Sequence, residues 1–169
     1  MDAERRHFLF TERDMEHKLV KVNATQKPLL YRLLQYALFE MSATDGNEMN
    51  ALGVYEYPWF DLYFTDDDRD AYLIEDANSG AVLGFVMVNQ YLQKSANGHS
   101  IAEFLILPKF RRAGLGTAVA KEIFATYGGN WEVEPSLGSR GAEGFWQSVI
   151  DFVTNGNFRK EDGIYLFFV

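Results

Sequence analysis

Ile101-Ala102-Glu103-Phe104-Leu105-Ile106-Leu107-Pro108-Lys109-Phe110-Arg111-Arg112-Ala113-Gly114-Leu115-Gly116-Thr117 is the stretch on which the reading of this 169-residue chain turns. The largely apolar run 101–107 reads as a strand, and Pro108 ends it because proline has no N–H to give to a ladder. A basic, glycine-bearing turn follows. Beyond it Ala118, Val119, Ile123 and Phe124 recur at helical spacing as far as Tyr127, where Gly128-Gly129 stops the helix. A glycine-permitted turn that runs into a helix N-terminus exposes several backbone N–H groups, with the positive end of the helix dipole behind them. Such a nest suits a phosphate or pyrophosphate, and glycine lets a ligand reach the main chain without a Cβ in the way. Lys109, Arg111 and Arg112 add local positive charge to the turn. An ordinary glycine turn with solvated basic residues has the same local sequence, so the stretch needs its context.

Two phosphate motifs fail by counting. A dinucleotide fingerprint beginning at Gly114 and Gly116 needs Gly or Ala at 119, where the chain has Val119. A Walker loop needs Gly-Lys followed by Ser or Thr, a tripeptide the sequence lacks.

Upstream, 19–22 reads as a first strand. Thr25 offers a cap and Pro28 a first-turn residue for an amphipathic helix carrying Leu29, Leu30, Leu33, Leu34, Ala37, Leu38 and Met41. Residues 42–53 are a polar loop, and the aromatic segment 57–64 is either a short helix or irregular. Runs 71–75 and 81–88 flank a turn composition at 76–80 and form an antiparallel hairpin. Downstream come a strand at 131–133, a helix at 142–153 and a terminal strand at 164–169. The order implies a mixed sheet with helices packed on it.

Composition bounds the rest. Hydrophobic residues make up 47% and charged residues 24%, a globular balance that excludes disordered and fibrous classes. A net charge of −8 repels a phosphate backbone, so no nucleic-acid partner is expected, although a local basic patch still suits a small phosphorylated ligand. With no cysteine there is no disulfide, thiolate metal site or cysteine nucleophile, which is compatible with a reducing cytoplasm, the expected location. His7, His17 and His99 have no ligand spacing, so no metal is expected. No stretch has the apolar length of a signal peptide core or a membrane span, so no membrane partner is expected. Residues 1–14 are read as a tail or upstream extension, with Met15 an alternative start, and 15–169 as one domain.

In this context Arg111-Arg112-Ala113-Gly114-Leu115-Gly116 resembles the (Gln/Arg)-x-x-Gly-x-(Gly/Ala) acyl-CoA pyrophosphate loop of the GNAT superfamily of N-acetyltransferases. Residues 102–107 resemble its splayed fourth strand, 116–127 its third helix and 131–133 its fifth strand. Ser139-Arg140-Gly141-Ala142-Glu143-Gly144-Phe145-Trp146 resembles the Asn-x-x-Ala-x-x-Phe-Tyr start of its fourth helix, and Gly84 matches a glycine frequent in its third strand. The resemblance implies an α/β (α+β) fold: a mixed, mostly antiparallel twisted sheet of about six or seven strands, flanked by helices and splayed between the fourth and fifth strands. It further implies acetyl-CoA as co-substrate, a primary amine as acceptor and direct attack in a ternary complex. The alternative is a non-catalytic acyl-CoA-binding or regulatory module on the same fold. A closed α/β protein with a purely structural glycine turn is a third reading.

The resemblance assigns acyl-CoA binding to Phe104, Leu105, Ile106 and Leu107 along the strand and to Arg111, Arg112, Ala113, Gly114, Leu115, Gly116 and Thr117 at the turn. It adds Ser139, Ala142 and Trp146 from the last helix. The N–H of Leu105 or Ile106 would polarise the thioester carbonyl. Ser139 replaces the usual Asn, and Trp146 replaces the Tyr that often protonates the leaving thiolate; an indole is not a general acid. Tyr127 and Tyr165 are substitutes by chemistry alone, and a solvent proton also serves. Glu103 is the candidate base, because burial in an apolar run raises a carboxylate's pKa. The bland alternatives are that it faces solvent or pairs with Arg112. Glu132 and Glu134 are weaker candidates. Asp66, Asp67, Asp68 and Asp70 either attract a cationic amine or, as favoured, form a solvated loop. Tyr55, Tyr57, Trp59, Phe60, Tyr63 and Phe64 are either core or the wall of an acceptor pocket. The terminal strand 164–169 is expected to offer an edge through which two copies form a homodimer.

Overall fold

The computed structural model describes residues 16–169. Its strands are β1 (His17–Lys21), β2 (Arg69–Asp76), β3 (Val82–Asn89), β4 (His99–Ile106), β5 (Asn130–Val133), β6 (Phe158–Glu161) and β7 (Ile164–Phe168). The helices are α1 (Lys27–Asp45), α2 (Leu115–Tyr127) and α3 (Arg140–Thr154), with 3-10 turns at Phe60–Phe64 and Pro108–Phe110. The strands form one sheet in the order β1-β2-β3-β4-β5-β7-β6. Every neighbouring pair is antiparallel except β4 and β5.

Helices cover the two faces of this sheet, which is why β3 is apolar almost throughout rather than alternating. On one face Leu30, Leu34 and Leu38 of α1 pack on Leu73, Phe85, Met87 and Leu105. On the other, Val119, Ile123 and Phe124 of α2 and Ile150 of α3 pack on Ile74, Val86 and Trp131. Apolar positions at three- and four-residue steps give each helix one such stripe.

β4 and β5 pair in parallel over two positions, His99 with Trp131 and Ser100 with Glu132, and beyond these the strands diverge. A second irregularity lies in β4. Met87 pairs with Glu103 and Val88 with Ile101, so Ala102 is an extra residue without a partner, a β-bulge. The bulge inverts the alternation. Ile101 and Phe104, three apart, both pack towards α2 and α3, while Leu105 packs towards α1. Glu103 is thereby turned to the α1 side.

Some local expectations are corrected. Gln26 rather than Thr25 is the N-cap of α1, and Thr25 instead bonds Asn23. The helix runs through Asp45, not 41, until Gly46 ends it with φ 75 in the left-handed region. Phe158–Glu161, unassigned from the sequence, forms a hairpin with β7. As a result β7 is an interior strand between β5 and β6, and the edge foreseen for a homodimer at 164–169 does not exist; the sheet edges are β1 and β6. The tail 1–14, with His7, lies outside the described residues.

Gly84 is dictated by close approach. A Cβ there would lie 2.0 Å from the carbonyl oxygen of Leu105 and 3.1 Å from the Cα of Ile106, both backbone atoms that have no rotamer to escape into. Gly84→Ala is therefore expected to destabilise the fold by about 3 kcal/mol, the upper end for overpacking, measured as a shift in the urea unfolding midpoint.

Candidate active site

The divergence of β4 from β5 leaves a cleft of ≈ 490 Å³, walled by β4, by the segment 133–137, by Glu40, Met41 and Thr44 of α1, and by Ser139, Ala142 and Trp146 of α3. Its β4 wall carries unpaired backbone. The N–H of Leu107 donates to the carbonyl of Leu83 at 2.8 Å, and Leu105 lies opposite Phe85. By alternation the polar groups of Leu105 and Leu107 face β3, while those of Phe104 and Ile106 face the open side. This bears on the two amides weighed from the sequence: the Ile106 N–H is turned away from β3 and the Leu105 N–H towards it, while of 104–107 only Phe104 and Leu105 line the cleft.

At the C-terminal end of β4 lies the glycine turn. Gly114 is the N-cap of α2 with φ 78, and Arg112 also adopts a positive φ of 63. Two left-handed residues so close together fold the turn back and leave the first N–H groups of α2 without a side-chain cap, open to an anion. Arg112, Ala113, Gly114 and Thr117 are exposed; Leu115 is buried as the first core residue of α2. Gly116 is closely packed, a Cβ there falling 3.2 Å from the Phe145 ring. Arg111 is committed elsewhere. Its Nε donates to the carbonyl of Ile106 at 2.7 Å and its Nη2 to Glu40 at 2.8 Å, tying the end of β4 to α1. Its guanidinium is thus a brace, and its charge is matched by Glu40.

Glu103 stands inside the cleft on the α1 side. Burial pushes its carboxyl up to about 7; the neighbouring Asp45 adds to the rise, while a side-chain hydrogen bond with Tyr57 opposes it. Neither bland alternative holds: Glu103 is half-buried rather than solvated, and it makes no ion pair with Arg112. Glu132 has a different task. Buried on β5, it accepts backbone N–H groups from Gln93 at 2.7 Å, Lys94 at 2.9 Å and Ser95 at 2.6 Å. Those bonds outweigh its desolvation and lower its pKa, so it is a poor base at neutral pH. Glu134 accepts from the Gln93 side chain at 2.7 Å.

Ser139 caps α3, its Oγ accepting from the N–H of Ala142 at 3.2 Å. Trp146 is buried, edge-on to Phe104 at 5.1 Å and beside Phe145, an apolar wall where a phenol was expected. Neither substitute tyrosine lines the cleft. Tyr127 donates to Asp70 at 2.5 Å and contacts Tyr72, while Tyr165 is held by Glu143 and Lys160 beneath α3. The acidic residues also lie elsewhere. Asp70 is shared by Lys21 and Tyr127, and Asp66 and Asp68 flank Arg69. Tyr55, Phe60 and Tyr63 are core, Tyr57 and Phe64 pack partly buried against that core, and Trp59 is exposed. Among the described residues no group of side chains could hold a metal ion, and no helix is long and apolar enough to cross a membrane.

A mixed sheet split between its two parallel strands, with a glycine turn and a helix N-terminus at the end of the split, is the architecture that the sequence resemblance implies. The chain matches the acetyltransferase (GNAT) family over residues 30–149, and it belongs to that family. Its fold is similar to that of an acetyltransferase from Thermus thermophilus, with 18% identity and a TM-score of 0.64 over 90% of this chain and 97% of that one. Arabidopsis thaliana NAA60 in complex with a bisubstrate analogue shares 11% identity and a TM-score of 0.57, covering 90% of this chain and 98% of that one. AAC(6')-Iy in complex with the bisubstrate analog CoA-S-monomethyl-acetylneamine shares 14% and a TM-score of 0.56, over 79% and 89%. No curated protein matches the chain.

Glu132 yields a stability test. Its lowered pKa means that its contribution is present above the ordinary carboxylate value and is lost as pH falls through the lowered one. Glu132→Gln is expected to cost about 2 kcal/mol at pH 7, the scale of hydrogen bonds to a charged group, and the difference from the parent should shrink in acid unfolding series.

Proposed function

We propose that the chain is an N-acetyltransferase that moves the acetyl group of acetyl-CoA to a primary amine by direct attack with both substrates bound, through one domain spanning 15–169. The observation that carries this reading is the pairing, on one strand, of an open backbone edge leading to the glycine turn with a half-buried carboxylate facing α1. The residues fit such a co-substrate. The turn 111–117 would take the pyrophosphate on its main-chain N–H groups, since the Arg111 guanidinium is already engaged. The backbone groups of Phe104 and the N–H of Ile106 would bond the pantetheine arm, the Ile106 carbonyl being held by Arg111, with Ser139, Ala142 and Trp146 as the opposite wall. The Ile106 N–H would receive the charge that develops on the thioester oxygen.

An alkyl ammonium with an ordinary pKa of about 10.4 must lose a proton before it attacks. Glu103, ionised above about 7, takes that proton, directly or through one water. The C–N bond then forms and the C–S bond breaks, the thiolate leaves with the electron pair, and the nitrogen releases its second proton to solvent or to that thiolate, which leaves a neutral amide. A thiolate is a good leaving group, so a proton from solvent suffices where Trp146 offers none. That same tryptophan supports the second reading, a binding module on the same fold, for which acetyl-CoA binds and no amine is acetylated.

Two measurements test the proposal. Acetyl-CoA at 100 times its Kd should stabilise the protein by about 2.7 kcal/mol in a thermal scan, and Ala113→Glu, which sets a carboxylate in the nest at an exposed position, should remove that shift. Glu103→Gln should leave the thermal shift intact yet lower amine acetylation at pH 7 by about 100-fold, with the deficit narrowing towards pH 10 as the free amine becomes abundant. Binding without turnover in the parent would establish the module reading; no binding would overturn both.

A further inference from the structure

The cleft along β4 is walled by three carboxylates, Glu40, Glu103 and Glu134, and by no lysine, arginine or histidine among the described residues. Their charges are not equally spent. Glu40 is neutralised by Arg111 at 2.8 Å. Glu134 accepts from the Gln93 side-chain amide at 2.7 Å, and an amide brings no charge to set against it. Glu103 is in no ion pair among the described residues. Asp45, next to Thr44 of the cleft wall, bonds Asn47 and stands at the negative end of the α1 dipole.

A second hollow of ≈ 520 Å³ opens off the same wall and shares 134–137 and Ser139 with the cleft. Its further carboxylates, Glu143 and Asp162, are held by Lys160 and Lys94, each at 2.5 Å. Uncompensated negative charge therefore reaches from Glu103 to Glu134 and stops there.

This field distinguishes between acceptors. An amine must be neutral to attack, and carboxylates around it favour its charged form. For a monoamine, what the field adds to binding it takes back at deprotonation. A diamine escapes that cancellation. Its second nitrogen stays an ammonium, pairs with a carboxylate, and by like-charge repulsion lowers the pKa of the nitrogen that reacts. We propose that the acceptor is a small aliphatic diamine, with one nitrogen attacking beside Glu103 and the other held as an ammonium by Glu134. The proposal rests on the acetyltransferase reading and deepens it to a substrate class, with Glu134 the residue that selects it. The site is the cleft already described; what is added is the charge of its occupant. In the transfer the reacting nitrogen gains the acetyl group and loses two protons, one to Glu103 and one to solvent or the leaving thiolate. The ammonium at Glu134 is unchanged, so the product is a monoacetylated cation.

The test compares 1,4-diaminobutane and its shorter and longer homologues with monoamines in which a methyl group replaces one ammonium. Binding to the ligand-free protein is read by titration calorimetry, and acetylation as kcat/KM with acetyl-CoA. At the best chain length the diamine should exceed its monoamine by about 10-fold in both, the scale of one hydrogen bond to a charged group, and salt should shrink the margin. Glu134→Gln should abolish the margin, and Glu134→Asp should keep part of it. A triamine should bind no tighter than the diamine; a further gain would overturn the limit at Glu134. No margin at any length, or one that survives in Glu134→Gln, overturns the proposal. A binding margin that Glu134→Gln removes, with no amine acetylated, would support the diamine site and overturn the acetyltransferase reading instead.

Discussion

The site depends on where two parallel strands stop pairing. β4 and β5 share only the pairs His99–Trp131 and Ser100–Glu132, and the Glu132 carboxylate, at that vertex, also gathers the N–H groups of Gln93, Lys94 and Ser95. A buried carboxylate with three backbone donors is satisfied in place and costly to move. It anchors the loop that enters β4 to the strand on the far side of the split. From that fixed point outward the strands are free to diverge, and the features of the cleft follow from the divergence: a β4 edge without a partner strand, where the Ile106 carbonyl is taken instead by the Arg111 side chain, and the space beside Glu103.

Other contacts keep the opening from collapsing or spreading. Trp146 stands edge-on to Phe104, so α3 props the β5 side with rigid rings instead of a flexible side chain. Arg111 clamps the Ile106 carbonyl and Glu40 together, which fixes the distance between α1 and the end of β4. The bulge at Ala102 then decides which face each β4 side chain serves. In a strand of the same sequence without the bulge, Ile101, Glu103 and Leu105 would share one face; the bulge sets Ile101 and Phe104 on one face and Glu103 and Leu105 on the other.

Much of this was legible in the residues. Periodicity exposed the three helices, turn composition the β2–β3 hairpin, and the 101–117 stretch both the fourth strand and the glycine turn. What escaped has physical causes. Phe158–Glu161 is short and mostly exposed, with three charged residues in four, so no apolar pattern marks it as a strand. The task of Glu132 is set by a loop nearly forty positions away in sequence, and no local spacing records such a bond. Arg111 looked like a phosphate ligand because its partner Glu40 sits on α1, far upstream.

The two glutamates beside the split work against each other when the chain folds. Glu132 gives up its proton more readily in the native state than in the unfolded chain, so its stabilisation is complete above the ordinary carboxylate range. Glu103 does the reverse. With a native value near 7 it takes up a proton on folding in mildly acidic solution, and its cost to the native state grows as pH rises to about that value and is constant above it. Their joint contribution is therefore greatest on the acid side of neutrality, whereas Glu103 is ionised mainly on the alkaline side. Of these two carboxylates, one favours the native state most where it is ionised and the other where it is protonated.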